Sequence, residues 1–241
     1  MFTNRLRNVD PMFAVFMLLM LFSSMRSYSG VGEWFYHTLL VIPGVIIGIS
    51  FHEFAHGWAA YKMGDPTAKF QGRLTINPAA HIDPVGLVAL MFCGFGWGKP
   101  VDVNPGNFKD RRKGEIIVSL AGVVTNFLIA IITGFVIKIV LNVGGGAFAA
   151  SGLGEIVVTV LILVIQINLV LMIFNLIPVP PLDGFTVVTE IFNLRYTNLY
   201  NTMVRYGYFI LLALILFNVT SMIISPCVSG LMSLITNVII Y

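Results

Sequence analysis

The stretch His52-Glu53-Phe54-Ala55-His56 lies inside an apolar segment, residues 34–61, that is long enough to cross a lipid bilayer. Two imidazoles and a carboxylate are unusual at that depth, because a strongly polar side chain there costs about 2.5–3.5 kcal/mol on insertion scales. On a helix, residues four positions apart share a face, so His52 and His56 can bind one metal ion together. Glu53 stands next to the first ligand and can hold a water molecule on that ion. The spacing therefore predicts a metal site inside a membrane helix.

The composition indicates an integral membrane protein. Of the 241 residues, 57% are hydrophobic and 10% are charged, and the mean hydropathy is +0.90. Soluble domains carry about 25% charged residues, so an ordinary soluble enzyme is excluded. No polar stretch is long enough for a separate soluble unit, and we expect residues 1–241 to form a single membrane-embedded domain. Its core is expected at about 34–190, with an extra N-terminal helix in 1–30 and C-terminal helices in 200–241.

We predict an all-α polytopic membrane protein with five to six transmembrane helices. The expected spans are residues 11–25, 33–63, 114–141, 153–177, 204–224 and, as an optional sixth, 227–241. Gly44 and Gly48 form a G-x-x-x-G face on the second of these, which lets another helix approach closely. The three glycines at 144–146 predict a flexible connection, and residues 185–193 predict a short interfacial helix.

The segment between the second and third helices has a different pattern. Residues 67–76 alternate as a strand does, and residues 99–105 are a second candidate strand. The apolar run 85–97 is too short for a clean span and fits a re-entrant segment. We expect a small membrane-associated β-sheet with a re-entrant loop here. Non-helical backbone at membrane depth is stable only against protein or a wet cavity, so the segment also predicts a cavity.

Lys and Arg are concentrated on one side of the membrane if the helices alternate in direction. Twelve of the 14 basic residues fall on that side, and the positive-inside rule makes it cytoplasmic. We therefore expect a multi-pass protein of the cell membrane whose polar site opens toward the cytoplasm. The basic run 109–113 is expected to face anionic lipid head groups of the bilayer, and we expect no nucleic-acid partner.

A catalytic zinc ion takes three protein ligands and leaves a fourth position open. The two histidines supply two ligands, and three residues elsewhere are candidates for the third. Asp183 is the first candidate, because it follows a proline-rich break, residues 178–181, at the end of a membrane helix, where a side chain can turn inward. Glu190 and His81 are the alternatives.

The chemistry that this pattern indicates is hydrolysis of an amide bond, with Glu53 as general base. Bound zinc lowers the pKa of its water toward ~7, and a carboxylate within reach can take the proton. A developing oxyanion needs a donor besides the metal. Asn126, an uncharged polar residue inside the third helix, is a candidate, and an interhelical hydrogen bond is its alternative role. Cys93 and Cys227 are far apart in apolar surroundings, which predicts free core thiols and no disulfide.

Two other classes of protein were weighed against a peptidase. The first is a membrane chaperone or scaffold that binds zinc without cleaving peptides, and the presence of Glu53 beside the candidate ligands disfavours it. The second is a metal-ion transporter, which needs polar residues along a path to the far side of the membrane. Between the predicted site and that side the chain offers Lys138, Gln166, Asn168 and scattered Ser and Thr, which disfavours a continuous path.

An ordered set of motifs in this chain resembles the site-2 protease family of intramembrane zinc metalloproteases. The resemblance is to the compact bacterial branch without PDZ or CBS modules, and it covers about residues 40–190. The motifs are Phe51-His52-Glu53-Phe54-Ala55-His56-Gly57, Leu74-Thr75-Ile76-Asn77-Pro78, His81-Ile82-Asp83-Pro84-Val85-Gly86, Ser119-Leu120-Ala121-Gly122 with Asn126, Asn175-Leu176-Ile177-Pro178, and Leu182-Asp183-Gly184. One departure is visible, because Val123 stands where the family usually has proline.

The resemblance implies one zinc ion, with Asp183 as its third ligand and Glu53 as the catalytic acid and base. It implies that Asn126 belongs to the active-site cleft and that the loop after the second helix, which contains Asn77, handles substrate. Asn77 therefore joins Asn126 as a candidate substrate or oxyanion residue. The family cleaves membrane-spanning segments, which implies a transmembrane protein as the substrate of an endopeptidase in regulated intramembrane proteolysis.

Overall fold

A computed structural model describes residues 18–240, except residues 20, 23, 27, 94, 95 and 97. The helices from residue 31 onward are α1 (Val31–Met63), α2 (Thr67–Phe70), α3 (Pro78–His81), α4 (Pro84–Cys93), α5 (Arg111–Ala149), α6 (Gly152–Asn175), α7 (Asp183–Ile191), α8 (Asn198–Leu216) and α9 (Val219–Ile235). Within the described residues, five segments are long and apolar enough to cross a membrane: α1, α5, α6, α8 and Val219–Ile240. The prediction of a helical, multi-pass membrane protein is confirmed. The predicted first span, 11–25, lies mostly outside the described residues.

Several predicted helix bounds were wrong. α5 extends to Ala149, but it is interrupted at the glycines 144–146, where the sequence predicts a connection. Gly145 takes the non-helical angles φ 66 and ψ −179 and separates two helical stretches, which glycine tolerates because it has no Cβ. α8 ends and α9 begins earlier than predicted, because Asn218 at φ 60 makes the turn between them. α8 also begins earlier than predicted, at Asn198, after the Thr197 cap. Cys227, predicted to be a core thiol, is free and exposed on α9.

The predicted small β-sheet was also wrong for the described residues. Among the described residues from 67 to 105, the one β-pairing is an isolated antiparallel bridge, Ile82 to Gly98. α3 and α4 form helices because each begins with a proline, Pro78 and Pro84. The fixed φ of proline suits the first residue of a helix, where its missing N–H costs nothing. Asn77 accepts a hydrogen bond from the Ala79 N–H and so caps α3. The segment folds as three short helices joined by extended chain.

Asp65 fixes this segment to the end of α1. Its fully buried carboxylate accepts hydrogen bonds from Thr67, the Asn104 N–H at 2.7 Å and the Asn107 side chain at 2.7 Å. Burial acts to raise the pKa of Asp65, but these hydrogen bonds outweigh it and lower the pKa below its ordinary value. Two stretches about 40 residues apart are thereby held by one side chain.

The core of the bundle lies between α5, α6 and α9, with α1 packed against α5 and α6. Gly44 and Gly48 on α1 face α6, as the G-x-x-x-G pattern predicts. A Cβ at Gly44 would lie 3.2 Å from the Leu163 carbonyl oxygen, and one at Gly48 would lie 2.6 Å from Leu171 Cδ1. Larger residues would therefore push the two helices apart.

α7 is held against α5 by charged groups. Arg195, just after α7, forms ion pairs with Glu115 on α5 and with Glu190 on α7, and both carboxylates are buried. Burial acts to lower the pKa of Arg195, but these carboxylates raise it overall. Arg112 donates to the carbonyl oxygens of Glu190 at 2.6 Å and Ile191 at 2.8 Å. These contacts fix the short helix that begins with Asp183.

Candidate metal centre

Three ligand atoms converge where α1, α5 and α7 meet. His52 Nε2 and His56 Nε2 are 2.9 Å apart, one helical turn from each other on α1. Asp183 Oδ2 lies 3.2 Å from His52 Nε2 and 3.3 Å from His56 Nε2. Asp183 is the first residue of α7, directly after the proline-rich break. The side chains of the two histidines and of this aspartate thus form a three-ligand group that could hold a metal ion.

The far nitrogen of each imidazole is fixed by a carbonyl group. His52 Nδ1 lies 2.6 Å from Asn126 Oδ1, and His56 Nδ1 lies 2.8 Å from the Val118 carbonyl oxygen. Carbonyl oxygens only accept hydrogen bonds, so both Nδ1 atoms carry hydrogen. In neutral imidazoles each Nε2 then presents a lone pair to the other and to Asp183. Three electron-rich atoms facing each other need a cation between them.

The group fits a zinc ion by its chemistry and its spacing. Zinc bonds to nitrogen and oxygen at about 2.0–2.2 Å in a tetrahedral arrangement, which places ligand atoms about 3.3 Å apart. The distances of 2.9–3.3 Å among the three atoms agree with that spacing. Asp183 Oδ2 is buried and accepts no hydrogen bond from the described residues, as expected of an oxygen kept for a metal.

A glycine on α5 makes room for the first histidine. A Cβ at Gly122 would lie 2.6–2.8 Å from three atoms of the His52 ring. One turn further along α5 lies the fully buried Asn126. Its side-chain oxygen accepts a hydrogen bond from His52, and its NH2 group donates one to the Gly48 carbonyl oxygen at 3.2 Å. It also donates to Asn168 Oδ1 on α6 at 2.9 Å. One amide therefore connects the first ligand to three membrane helices.

The ligands open onto a cavity of about 330 Å³. Glu53 lines it together with the two histidines and Asp183, so the candidate general base and the metal group share one space. Glu53 Oε2 accepts a hydrogen bond of 2.8 Å from the Val101 N–H, in the extended chain after α4. Polar side chains of Ser119, Asn175 and Thr186 also line the cavity. The cavity thus brings polar side chains of α5, α6 and α7 beside the candidate ligands.

The sequence profile of peptidase family M50 matches residues 40–218, which include every ligand and Glu53. The chain belongs to peptidase family M50. This is the site-2 protease family that the motifs resemble, and the match confirms that resemblance.

Curated relatives of this M50 peptidase agree with the family match. "Putative zinc metalloprotease YwhC" from Bacillus subtilis is 40% identical over 166 residues, which are 66% of this chain and 74% of that protein. "Putative zinc metalloprotease Rip2" from Mycolicibacterium smegmatis is 31% identical over 170 residues, 67% of this chain and 59% of that protein. Its Mycobacterium tuberculosis counterpart is 27% identical over 159 residues, 61% of this chain and 55% of that protein. The chain thus spans little more than half of the Rip2 proteins. No solved structure matches the chain.

The family, the names of the relatives and the ligand group support a zinc metallopeptidase, as the His-Glu-x-x-His pattern predicts. The alternative third ligands have other partners in this M50 peptidase. Glu190 is paired with Arg195. His81 is fully buried, and its Nε2 lies 2.6 Å from the Thr75 carbonyl oxygen. Asp183 is the candidate that joins the histidines.

The two candidate oxyanion residues of the M50 peptidase do not line the cavity. Asn77 caps α3, and Asn126 uses its amide hydrogens on Gly48 and Asn168. Their oxyanion role stays a prediction, whereas the interhelical hydrogen bond weighed for Asn126 is present.

Two contributors to the site were missed in the sequence. The Val101 N–H that binds Glu53 belongs to the backbone, which leaves no side-chain signal. Asn168 was considered only as part of a transport path, although a buried asparagine inside an apolar helix signals an interhelical partner.

Proposed function

We propose that this protein is an intramembrane endopeptidase that hydrolyses peptide bonds within or near transmembrane segments of other membrane proteins. The observation that supports it best is that Glu53 and the three ligands share one cavity, while two of those ligands lie on a candidate membrane span. A hydrolytic site in that position is useful when the bond to be cut is itself in the membrane. A peptidase acting only on soluble peptides has no need to bear the cost of burying these polar groups.

The chain's own residues supply binding and proton transfer. When bound, zinc acts as a Lewis acid and lowers the pKa of a coordinated water toward ~7. Glu53 takes a proton from the attacking water and delivers it to the leaving amide nitrogen. The Val101 N–H holds one oxygen of Glu53, which leaves the other oxygen for the proton. Asn126 and the Val118 carbonyl hold the two imidazoles in the tautomer that binds metal.

The test is cleavage of a reporter transmembrane peptide by the full chain, purified in detergent and loaded with zinc. Glu53→Gln keeps the shape of the side chain but removes the base, so we expect loss of cleavage by a factor of about 10²–10⁴ with zinc content unchanged. Glu155→Gln is the matched control, because Glu155 is exposed at the start of α6, and it is expected to cleave normally. Normal cleavage by a zinc-loaded Glu53→Gln variant would exclude the proposed mechanism.

A second arm of the same assay tests where the cleaved bond lies. The same scissile sequence is offered once inside an apolar 20-residue segment in detergent or bilayer and once as a short soluble peptide. We expect cleavage of the membrane-embedded form. If the protein cleaves only the soluble form, it is a metallopeptidase but not an intramembrane one.

We also propose that the site opens toward the cytoplasm, on the side with the basic residues. In a Cys93→Ser, Cys227→Ser background, Lys109→Cys places a single thiol in the loop before α5, and Ala150→Cys places one in the turn after it. In inside-out vesicles, a membrane-impermeant maleimide is expected to label Lys109→Cys and to spare Ala150→Cys. The reverse labelling would invert the topology.

A further inference from the structure

Arg73 occupies the centre of the segment between α1 and α5 and has no part in the mechanism so far. Its guanidinium donates to the carbonyl oxygens of Pro100 at 2.7 Å, Lys99 at 2.8 Å and Ala80 at 2.6 Å. Two separate stretches of backbone, one in α3 and one after α4, therefore meet on a single side chain. The planar fork of arginine can bind several carbonyl groups at once, which the single ammonium of lysine cannot reproduce.

The Pro100 carbonyl belongs to the same peptide group as the Val101 N–H, because a peptide plane contains the C=O of one residue and the N–H of the next. That N–H donates to Glu53 Oε2 at 2.8 Å. One rigid peptide group thus has a guanidinium at its oxygen and the carboxylate of Glu53 at its nitrogen. Rotation of this plane would break both hydrogen bonds together.

The surrounding chain leaves few other donors for the Pro100 carbonyl. Pro100 has no N–H of its own, and the Lys99 N–H is already used on the His81 carbonyl oxygen at 2.7 Å. On the other side of the peptide, Val101 is buried, and its Cγ1 lies 3.4 Å from where a Cβ of Gly57 on α1 would stand. Arg73 therefore donates to the oxygen of this peptide group while Glu53 accepts from its nitrogen.

We propose that Arg73 is a positioning residue for Glu53. Its charge holds and polarises the Pro100–Val101 peptide group, and the Val101 N–H then fixes the carboxylate of Glu53 beside the metal ligands. The inference rests on the proposed function, because it takes Glu53 to be the general base. It gives the stretch Gly72-Arg73-Leu74-Thr75-Ile76-Asn77-Pro78 a task at the active site even though none of these residues lines the cavity.

The first measurement separates kcat from KM for cleavage of the reporter peptide. Arg73→Met keeps the apolar stem and removes the guanidinium, and we expect kcat to fall about 10–100-fold, the range for losing a supporting group. KM should stay within about twofold and zinc content should not change, because Arg73 itself is not one of the candidate ligands and does not line the cavity. Arg73→Lys restores the positive charge on one ammonium group without the planar fork, and is expected to recover part of kcat. Arg205→Met, at an exposed arginine of α8, is the control and should match wild type.

The second measurement does not depend on activity. Amide hydrogen exchange over residues 98–104 should be faster in Arg73→Met than in wild type, because the Pro100–Val101 peptide group loses the guanidinium at its oxygen and the Val101 N–H is then held less firmly on Glu53. Exchange should be unchanged in Arg205→Met. If Arg73→Met proves unstable, Arg73→Lys is judged by the same two measurements, with smaller changes in the same direction expected.

The outcomes separate this inference from the proposed function. If Glu53→Gln is inactive and Arg73→Met cleaves within twofold of wild type, the positioning role is wrong and the peptidase mechanism stands. Unchanged exchange at 98–104 in Arg73→Met also overturns it. If Glu53→Gln cleaves normally, the proposed function fails, and the role of Arg73 toward a general base fails with it.

Discussion

The two sides of the candidate metal centre are built in different ways. On the histidine side, defined as α1 with His52 and His56, both ligands lie on one continuous helix and are supported by neutral groups of α5 and α6. On the aspartate side, defined as α7 with Asp183, the ligand begins a nine-residue helix that charged groups tie to α5. The spacing of the histidines follows from helix geometry, whereas the position of Asp183 follows from tertiary contacts.

This difference indicates how each side should respond to change. The histidine side lies among spans, where neutral hydrogen bonds and close helix contact are the available means of support. The aspartate side lies beyond the end of α6, where ion pairs with buried carboxylates can form. Removing a hydrogen-bond partner of a histidine should loosen the histidine side locally. Removing an ion-pair partner on the aspartate side should leave a buried charge without a partner.

The largest expected effect comes from removing the ligand of the aspartate side. Asp183→Asn should lower zinc affinity by more than the roughly 100-fold that loss of a supporting residue costs, and should abolish cleavage. Glu190→Gln is the matched variant on the same helix and should retain zinc better. Zinc content after dialysis against a chelator measures both. Equal retention by Asp183→Asn and wild type would mean that the third ligand is a different residue.

Next in size is the support of the aspartate side. Arg195→Met leaves Glu190 buried without its ion-pair partner and leaves Glu115 with Arg111 alone, which should cost about 3–5 kcal/mol of stability. Unfolding in detergent, followed by circular dichroism, measures it. Lys113→Met removes an exposed ion pair with Asp110 at 3.6 Å and should cost less than about 1 kcal/mol. Equal losses of stability in Arg195→Met and Lys113→Met would show that the buried ion pairs do not stabilise the aspartate side more than an exposed pair does.

The corresponding change on the histidine side is Asn126→Leu. The leucine cannot accept the hydrogen bond from His52 Nδ1. Zinc affinity should therefore fall about 10–100-fold, the usual cost of losing a hydrogen-bond partner of a metal ligand. Asn201→Leu, at an exposed position of α8, is the control. Competition with a fluorescent zinc chelator gives the affinities. An unchanged affinity in Asn126→Leu would mean that His52 is oriented by packing alone.

The smallest effect is expected at Asp65, which belongs to neither side. Asp65→Asn should cost about 1–3 kcal/mol at neutral pH, because the carboxylate binds several donors. The pKa of Asp65 is lowered in the folded protein, so its stabilisation is present above the ordinary pKa of about 3.9 and is lost as pH falls through the lowered value. The difference in unfolding free energy between variant and wild type should therefore shrink below about pH 4. A difference independent of pH would contradict this.

The sequence could predict the histidine side, because two ligands on one helix need only the helical period. It could place Asp183 among three candidates by the proline break, and the family resemblance selected it. It could not predict the support of either side. Gly122 is an ordinary glycine in an apolar helix until the His52 ring is seen against it. Residues 67–76 alternate as a strand would, but Pro66 and the Asp65 carboxylate start a helical turn there instead.

Asn126 couples metal binding at His52 to the packing of α1, α5 and α6. Its amide contacts the metal ligand His52, the backbone of α1 at Gly48 and Asn168 of α6, so anything that favours one contact favours the others. A zinc ion at 100 times its dissociation constant adds about 2.7 kcal/mol to the stability of the state that binds it. Zinc binding would then stabilise the contacts among α1, α5 and α6 as well as complete the site.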